Sequence, residues 1–289
     1  MGRAVAGAAA VVNCAGPFLD TALPLATASV AAGAHYLDLT AEQPAVQALH
    51  DALGAPAQAA AVAVVPAMAF FGGLADLLAT AALAELGGDR PGPHRADEIT
   101  VAVALDRWWP TAGTRSTGRR NTAQRLIVSG GRLTRAPDPA PATTWVFGPP
   151  FGAQPVVALP FSEVVTIAHH VRVGELRSYL MTAPLTELRD PGTPPPTATD
   201  ESGRSAQRFA VDVAVRRDGR ERLLAASGRD IYAVSAPIVA EGVVRLLDGG
   251  LRTTGVASPG QIFPAADVLT ALSATPHGPR IEERWAWTR

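Results

Sequence analysis

Up to Arg95 the apolar residues come in short blocks, and beyond it they alternate. Residues 10–14 form an apolar run, Ala-Val-Val-Asn-Cys, ended by Gly16-Pro17, the pattern of a strand buried on both faces. A helix is predicted over 21–32, with Asp20 as its N-cap and Gly33 as its stop. Tyr36-Leu37-Asp38-Leu39 reads as a second strand, followed by a helix with Val46, Leu49 and Leu53 at helical spacing. Residues 61–65 predict a third strand that stops at Pro66, and 74–86 a third helix that ends at Gly87-Gly88. Strands and helices alternating through short connections predict parallel pairing in an open α/β sheet.

Ile99, Val101, Val103 and Leu105 then alternate with small or polar neighbours, the period of a half-buried strand. Phe209, Val211, Val213 and Val215 repeat the pattern ahead of an Asp218-Gly219 hairpin turn. Residues 126–128, 145–147, 156–159 and 164–171 are further strand candidates, so this region predicts a largely antiparallel sheet. Residues 190–205, with Pro194-Pro195-Pro196, read as a mobile loop. Two helices close the chain. One starts near Ser235-Ala236-Pro237 and buries Val239, Val243, Leu246 and Leu247; the other covers 264–272. The expected division is 1–95, 96–232 and 233–289.

At 289 residues the chain is long enough for two domains. Its 25 basic and 26 acidic residues nearly cancel, so no nucleic acid or anionic membrane is expected as a partner. Every basic residue is Arg, which excludes Schiff-base chemistry and the lysine of a phosphate-cradling P-loop. The single cysteine, Cys14, allows no internal disulfide and fits a reducing, cytoplasmic compartment. The apolar start is interrupted by Asn13, unlike an export signal. The uncharged stretch 59–75 is broken by Pro66 and Gly72-Gly73 and reads as a buried strand and loop rather than a membrane helix.

The run Val11-Val12-Asn13-Cys14-Ala15-Gly16-Pro17-Phe18 resembles the strand-to-loop signature of the saccharopine-dehydrogenase-like reductases, a group that includes trans-acting enoyl reductases. The resemblance continues through residues 32–42, Val64-Val65-Pro66-Ala67 and Asp76-Leu77, then through residues 228–237 and Thr254-Gly255-Val256-Ala257-Ser258-Pro259-Gly260. It implies an α/β fold: a partial Rossmann-like parallel sheet with a second, largely antiparallel α+β domain, the closing helices packing back on the first. It further implies hydride transfer between NAD(P) and an imine, carbonyl or enoyl substrate; a homo-oligomer is expected from the sheet edge that missing first strands would leave exposed.

One departure matters. The family's phosphate-binding turn is Gly-x-Gly-x-x-Gly at a helix N-terminus, and none of the 27 glycines here is separated from another by one residue. The opening strand already matches the second half of the family's nucleotide domain. A chain without the glycine-rich half is therefore expected, with weak NAD(P) binding or none. A mis-set start and a real loss both remain open as its origin, as does a cofactor-free, non-redox homologue or partner subunit.

Candidate site residues follow from strand ends and from the resemblance. In the family the loop matching Asn13, Gly16, Pro17 and Phe18 approaches the nicotinamide; the alternative is a plain turn capped by Asn13. Asp38 and Glu42 leave the next strand at the same sheet edge, where carboxylates can serve as acid and base; Asp38 would otherwise cap the next helix and Glu42 be solvated. Arg115, Ser116, Arg119, Arg120, Asn121 and Thr122 form the densest polar cluster, suited to an anionic substrate or simply solvated. Adjacent on a presumed strand, His169 and His170 point to opposite faces, with His170 a candidate crevice residue or a structural histidine. Tyr232 is a candidate proton donor, or else a core residue. No Cys/His cluster and no Gly-x-Ser-x-Gly occurs, so neither a metal site nor a serine hydrolase is expected.

Overall fold

The computed structural model describes residues 2–87, 94–249 and 252–284. After a short helix α1 (Gly2–Val5), three strand–helix units follow: β1 (Ala10–Asn13), α2 (Phe18–Ala31), β2 (His35–Asp38), α3 (Gln43–Ala59), β3 (Ala63–Val65) and α4 (Ala75–Gly87). β1, β2 and β3 pair in parallel, as their pattern predicts. A fourth parallel strand, β12 (Gly255–Val256), joins beside β3, giving the order β1-β2-β3-β12. Its two residues carry too short a pattern to be read as a strand.

The helix α2 starts at Phe18, and Pro17 rather than Asp20 holds the N-cap position; Asp20 lies within the first turn. α2 and α3 cover one face of the parallel sheet, where Tyr36 and Val64 pack with Ala26, Leu49 and Leu53. On the other face Leu37 and Val65 pack into the main core with α4. The stretch Phe70–Gly87 is long and apolar enough to cross a membrane by length and composition, and 78% of it is buried inside the protein. Gly88, read as part of that helix's stop, lies outside the described residues.

Among the described residues the second sheet has nine strands. It is built from β4 (Arg95–Leu105), the hairpin β5 (Leu126–Ser129) and β6 (Arg132–Arg135), the hairpin β7 (Ala142–Val146) and β8 (Ala153–Ala158), β9 (Arg172–Met181), the hairpin β10 (Arg208–Arg217) and β11 (Arg220–Arg229), and β13 (Arg280–Arg284). All pairs are antiparallel except the central β4–β9 pair, which is parallel. Ile99, Val101, Val103 and Leu105 face the main core with Phe209, Val211, Val213 and Val215, as their alternation predicts. Asp218 and Gly219 both have positive φ (51° and 74°) and close the β10–β11 hairpin, the geometry of a two-residue turn.

Two expectations are corrected. Residues 164–171 do not form a strand: they lie mostly in helix α6 (Ser162–His170), which buries Val164, Val165 and Ile167. A continuous apolar run fits either element, and burial on several sides decides for the helix. The chain also does not close with helices alone. Helices α8 (Ser235–Leu247), α9 (Pro259–Ile262) and α10 (Ala265–Ala274) are accompanied by β12 in the first sheet and β13 in the second. In α8, Ile238, Val239 and Leu246 are buried, while Leu247 is 52% exposed. Residues 285–289 lie outside the described residues.

Candidate functional site

The loops that leave the carboxyl ends of β1, β2 and β3 meet at one crevice, and buried polar groups fix each loop. Asn13 Nδ2 donates to Thr21 Oγ1 (3.2 Å) and the Tyr36 hydroxyl (3.1 Å), and its Oδ1 accepts from the Ala15 N–H (3.0 Å). The side chain thus caps its own turn. Asp38 accepts from the Thr40 N–H (3.0 Å), the Ala67 N–H (2.8 Å) and the Tyr36 hydroxyl (3.1 Å). Burial pushes its carboxyl up to about 6 despite those bonds.

Glu42 reaches across to the next element. Its Oε1 accepts from the Phe18 N–H (2.9 Å) and its Oε2 from the Leu19 N–H (3.2 Å). These are free donors in the first turn of α2, so the carboxylate caps that helix from a distance. Burial still holds its carboxyl above the usual range, the two backbone donors offsetting only part of that cost. After β3 the chain turns sharply. Ala67 has φ 57° and Gly72 φ 93°, and the Gly73 N–H donates to Ala67 O at 2.7 Å. A Cβ on Gly72 would lie 2.6 Å from the Ala67 Cβ and 2.7 Å from Ser162 Oγ. Only glycine fits there, and the turn delivers Phe70 and Phe71 to the crevice.

The crevice is a cavity of about 770 Å³, walled by these loops, by α5 (Ala112–Arg120), by the segment before α6 and by α7 (Ala183–Arg189). The Phe71 ring lies 4.2 Å from Phe161 and 6.0 Å from Trp108, centroid to centroid, with the planes tilted by 32° and 27°. Beside that wall the Tyr232 hydroxyl accepts from Trp108 Nε1 (3.1 Å) and the Thr111 N–H (3.4 Å) and lies 3.0 Å from Thr114 Oγ1. Burial pushes the phenol up, so it stays protonated at neutral pH.

Four guanidiniums line the cavity: Arg115, Arg119, Arg125 and Arg189. Arg115 donates to the carbonyls of Asp190 (3.1 Å) and Thr193 (2.7 Å), and Arg125 to that of Pro160 (2.5 Å). Among the described residues no carboxylate lies within ion-pair distance of any of the four. Among the described residues Glu42 is the only acidic one in the lining, and its charge is directed at the start of α2.

Gly16, Phe18, Glu42, Arg115, Arg119 and Tyr232, read separately from the sequence, thus come together on one cavity. Asn13, Pro17 and Asp38 stand behind it as the frame of the loops. Arg120 does not join it: its guanidinium turns outward to Asp20 at 2.6 Å. His170 does not join it either. Because it lies on a helix, its side chain points to α4, where Nε2 sits 2.6 Å from Asp76 Oδ1 with the side chain 4% exposed. His169 stacks on His50 with ring centroids 3.5 Å apart, an α6–α3 contact away from the cavity. Among the described residues no group of three or more His, Cys, Asp or Glu side chains could hold a metal ion. Sequence reasoning missed Arg125, Phe71, Trp108 and Phe161. Arg125 stood at the end of the polar cluster, but nothing in the local pattern brings three aromatics from separate loops together.

An α/β fold with a cavity at the carboxyl ends of its parallel strands is the class this geometry defines. The chain is similar in structure to apo histidine-tagged saccharopine dehydrogenase (L-Glu forming) from Saccharomyces cerevisiae, with a TM-score of 0.64 at 10% identity over 98% of this chain and 86% of that one. Weaker likenesses are an amine dehydrogenase from Mycobacterium smegmatis (TM-score 0.40, 10% identity, 89% of this chain and 76% of that one) and GenD2 from gentamicin A biosynthesis in complex with NAD (TM-score 0.33, 16% identity, 92% and 76%). No protein-family model matches the chain, and no curated protein matches it in sequence.

The residues present do not fit the pyrophosphate of a nicotinamide cofactor. Such a site needs free N–H groups at a helix N-terminus, approached through glycines. Here the start of α2 is filled by Glu42, and the start of α5 by Thr111 Oγ1, which accepts from the Thr114 N–H at 3.1 Å.

Proposed function

We propose that the cavity is the substrate site of a protein of oxidoreductase ancestry that binds a small anionic molecule carrying an imine, carbonyl or enoyl group; hydride transfer to it would need a nicotinamide held by groups other than the capped starts of α2 and α5. One observation carries this reading. In a saccharopine-dehydrogenase fold, the cavity opens where open α/β sheets bind ligands, and four arginines without carboxylate partners among the described residues line it. Arg115 and Arg119 orient the anionic group, as guanidinium forks do. Tyr232, held by Trp108 and Thr111, presents a neutral hydroxyl to a substrate oxygen or nitrogen. Gly16 and Phe18 wall the cavity, while Glu42 positions their turn rather than exchanging protons itself. The exposed free thiol of Cys14 fits a cytoplasmic protein. Among the described residues β1 has a strand on one side only, an open edge that favours pairing with a second copy, which light scattering would detect.

Titration calorimetry tests the reading. Small carboxylates should bind the 289-residue chain, and NADH and NADPH should bind only at millimolar strength or weaker. The helix-terminal N–H groups that would make several such bonds to a pyrophosphate, about 1.5–3 kcal/mol each, are taken at the starts of α2 and α5, and each 1.4 kcal/mol is about tenfold in affinity. Tight nucleotide binding would overturn the argument from the capped helices; absence of any anion binding would overturn the substrate site. A second reading, a cofactor-free protein that binds or isomerises a small molecule, is favoured by the same capping of α2. It predicts turnover or binding indifferent to added NAD(P)H.

A further inference from the structure

Resting on the reading of this cavity as an anion's substrate site, we infer that its substrate carries a carbonyl group in addition to its negative charge, and no ammonium: an oxo acid fits, an amino acid or its iminium does not. Toward the cavity Tyr232 can only donate. A phenol oxygen has two lone pairs and one proton. Here the Trp108 Nε1–H (3.1 Å) and the Thr111 N–H (3.4 Å) take the lone pairs, and neither of those groups can accept in return. What Tyr232 has left is its proton. Thr114 Oγ1 lies 3.0 Å away to receive it, and passes its own toward Thr111 Oγ1, also at 3.0 Å. A ligand carbonyl oxygen takes the Tyr232 proton in place of Thr114. An ammonium or a protonated imine brings only donors to an oxygen that is already full.

The cavity also offers an ammonium nothing charged to bind. Among the described residues Glu42 is the only carboxylate in the lining; it is fully buried, and its two oxygens are held by the Phe18 and Leu19 N–H groups. The backbone carbonyls of Asp190 and Thr193 are taken by Arg115, and that of Pro160 by Arg125. Guanidiniums therefore occupy acceptors on which an amine could have settled. Arg119 and Arg189 add two more positive charges to the wall. The acceptors that remain are neutral, such as the Asn121 amide, and do not offset the repulsion of like charges in a partly enclosed space. An anion meets the reverse, since each of these charges attracts it.

Calorimetric titration of the unaltered chain tests this with 2-, 4- and 5-oxohexanoate, the corresponding aminohexanoates, and hexanoate as the reference. Moving the group along the ligand finds the spacing between the seat of the charge and Tyr232. The best oxo isomer should bind about fivefold or more tighter than hexanoate, the scale of one added hydrogen bond. Its amino partner should bind about a hundredfold or more weaker than the oxo isomer, because an enclosed donor without an acceptor costs more than a bond gained. Trp108→Phe removes one donor from the Tyr232 oxygen and opens a lone pair to an ammonium. In a protein whose thermal melt reports folding, the oxo-to-amino ratio should then fall by about tenfold. An amino isomer that binds as tightly as its oxo partner overturns the inference. If no oxo isomer binds better than hexanoate, the part given to the Tyr232 proton is overturned while an anion site stands. A ratio that Trp108→Phe leaves unchanged overturns the filled lone pairs as its cause. Failure of every anion to bind overturns both this inference and the substrate-site reading beneath it.

Discussion

Replacing Glu42 separates a capping carboxylate from an acid–base one. In Glu42→Ala the N–H groups of Phe18 and Leu19 lose acceptors at 2.9 and 3.2 Å. Loss of an N-terminal cap costs about 0.5–2 kcal/mol, and loss of a negative charge facing a helix start adds about 0.3–1 kcal/mol. Burial works the other way: it holds the Glu42 carboxyl above its usual range, so removing the charge restores part of the loss. The net expectation is a destabilisation of about 1–2 kcal/mol, or a fall in Tm of about 2–8 °C at the 2–4 °C per kcal/mol of chains somewhat shorter than this one. Glu42→Gln keeps an acceptor for one N–H and buries no charge, so it should lose about half as much or less. Differential scanning calorimetry at pH 7 gives the ranking wild type, Gln, Ala. An Ala variant as stable as wild type would refute the capping role. A Gln variant as unstable as Ala would show that the charge, not the acceptor, matters.

Gly72→Ala forces a side chain into φ 93° and to 2.6 Å from the Ala67 Cβ; strain and overlap together should cost about 2–4 kcal/mol, and a denaturant midpoint close to wild type would refute the packing of that turn. Asp38 titrates at about 6 when folded against 3.8 for the unperturbed group. The folded state therefore holds this proton more tightly than the unfolded one. Its contribution to stability is fully present below about pH 4 and is lost as pH rises through 6, an effect of about 3 kcal/mol. Asp38→Asn should flatten that slope in urea unfolding measured from pH 4 to 7; an unchanged slope would place the linkage elsewhere.

The parallel sheet was legible because each of its strands is a short apolar run closed by Gly or Pro, and each helix carries its apolar residues on one spacing. The large sheet was legible where large apolar residues alternate with small or polar ones; both faces of β4 and β10 are largely buried, the second through Ala102, Ala104 and Ala210 beside Phe147. In β4 and β10 the alternation is clean, whereas residues 164–171 are apolar without a period, and enclosure by α3, α4 and the Phe70–Leu74 turn makes them a helix. β12 and β13 become strands because a neighbour's free edge accepts them, a tertiary effect without a local signal.

The site was half legible for a related reason. Ligands collect at strand ends in open α/β sheets, so Gly16, Phe18 and Glu42 could be chosen from position alone. What each does there depends on a partner distant in sequence. Glu42 sits 24 residues from the Phe18 N–H that occupies it, and Arg125 belongs to the cavity wall only because Phe161, distant in sequence, lies under it. Together these two residues change the physics of recognition. Where a dinucleotide fold ordinarily lends helix-terminal N–H groups to an anion, here Glu42 and Thr111 close the starts of α2 and α5. Positive potential in the cavity comes instead from side-chain guanidiniums. Exposed ones such as Arg119 attract ligands over a distance that salt shortens, whereas the half-buried Arg125 is screened less. Ionic strength should therefore slow the association of an anionic ligand more than it weakens the bound state.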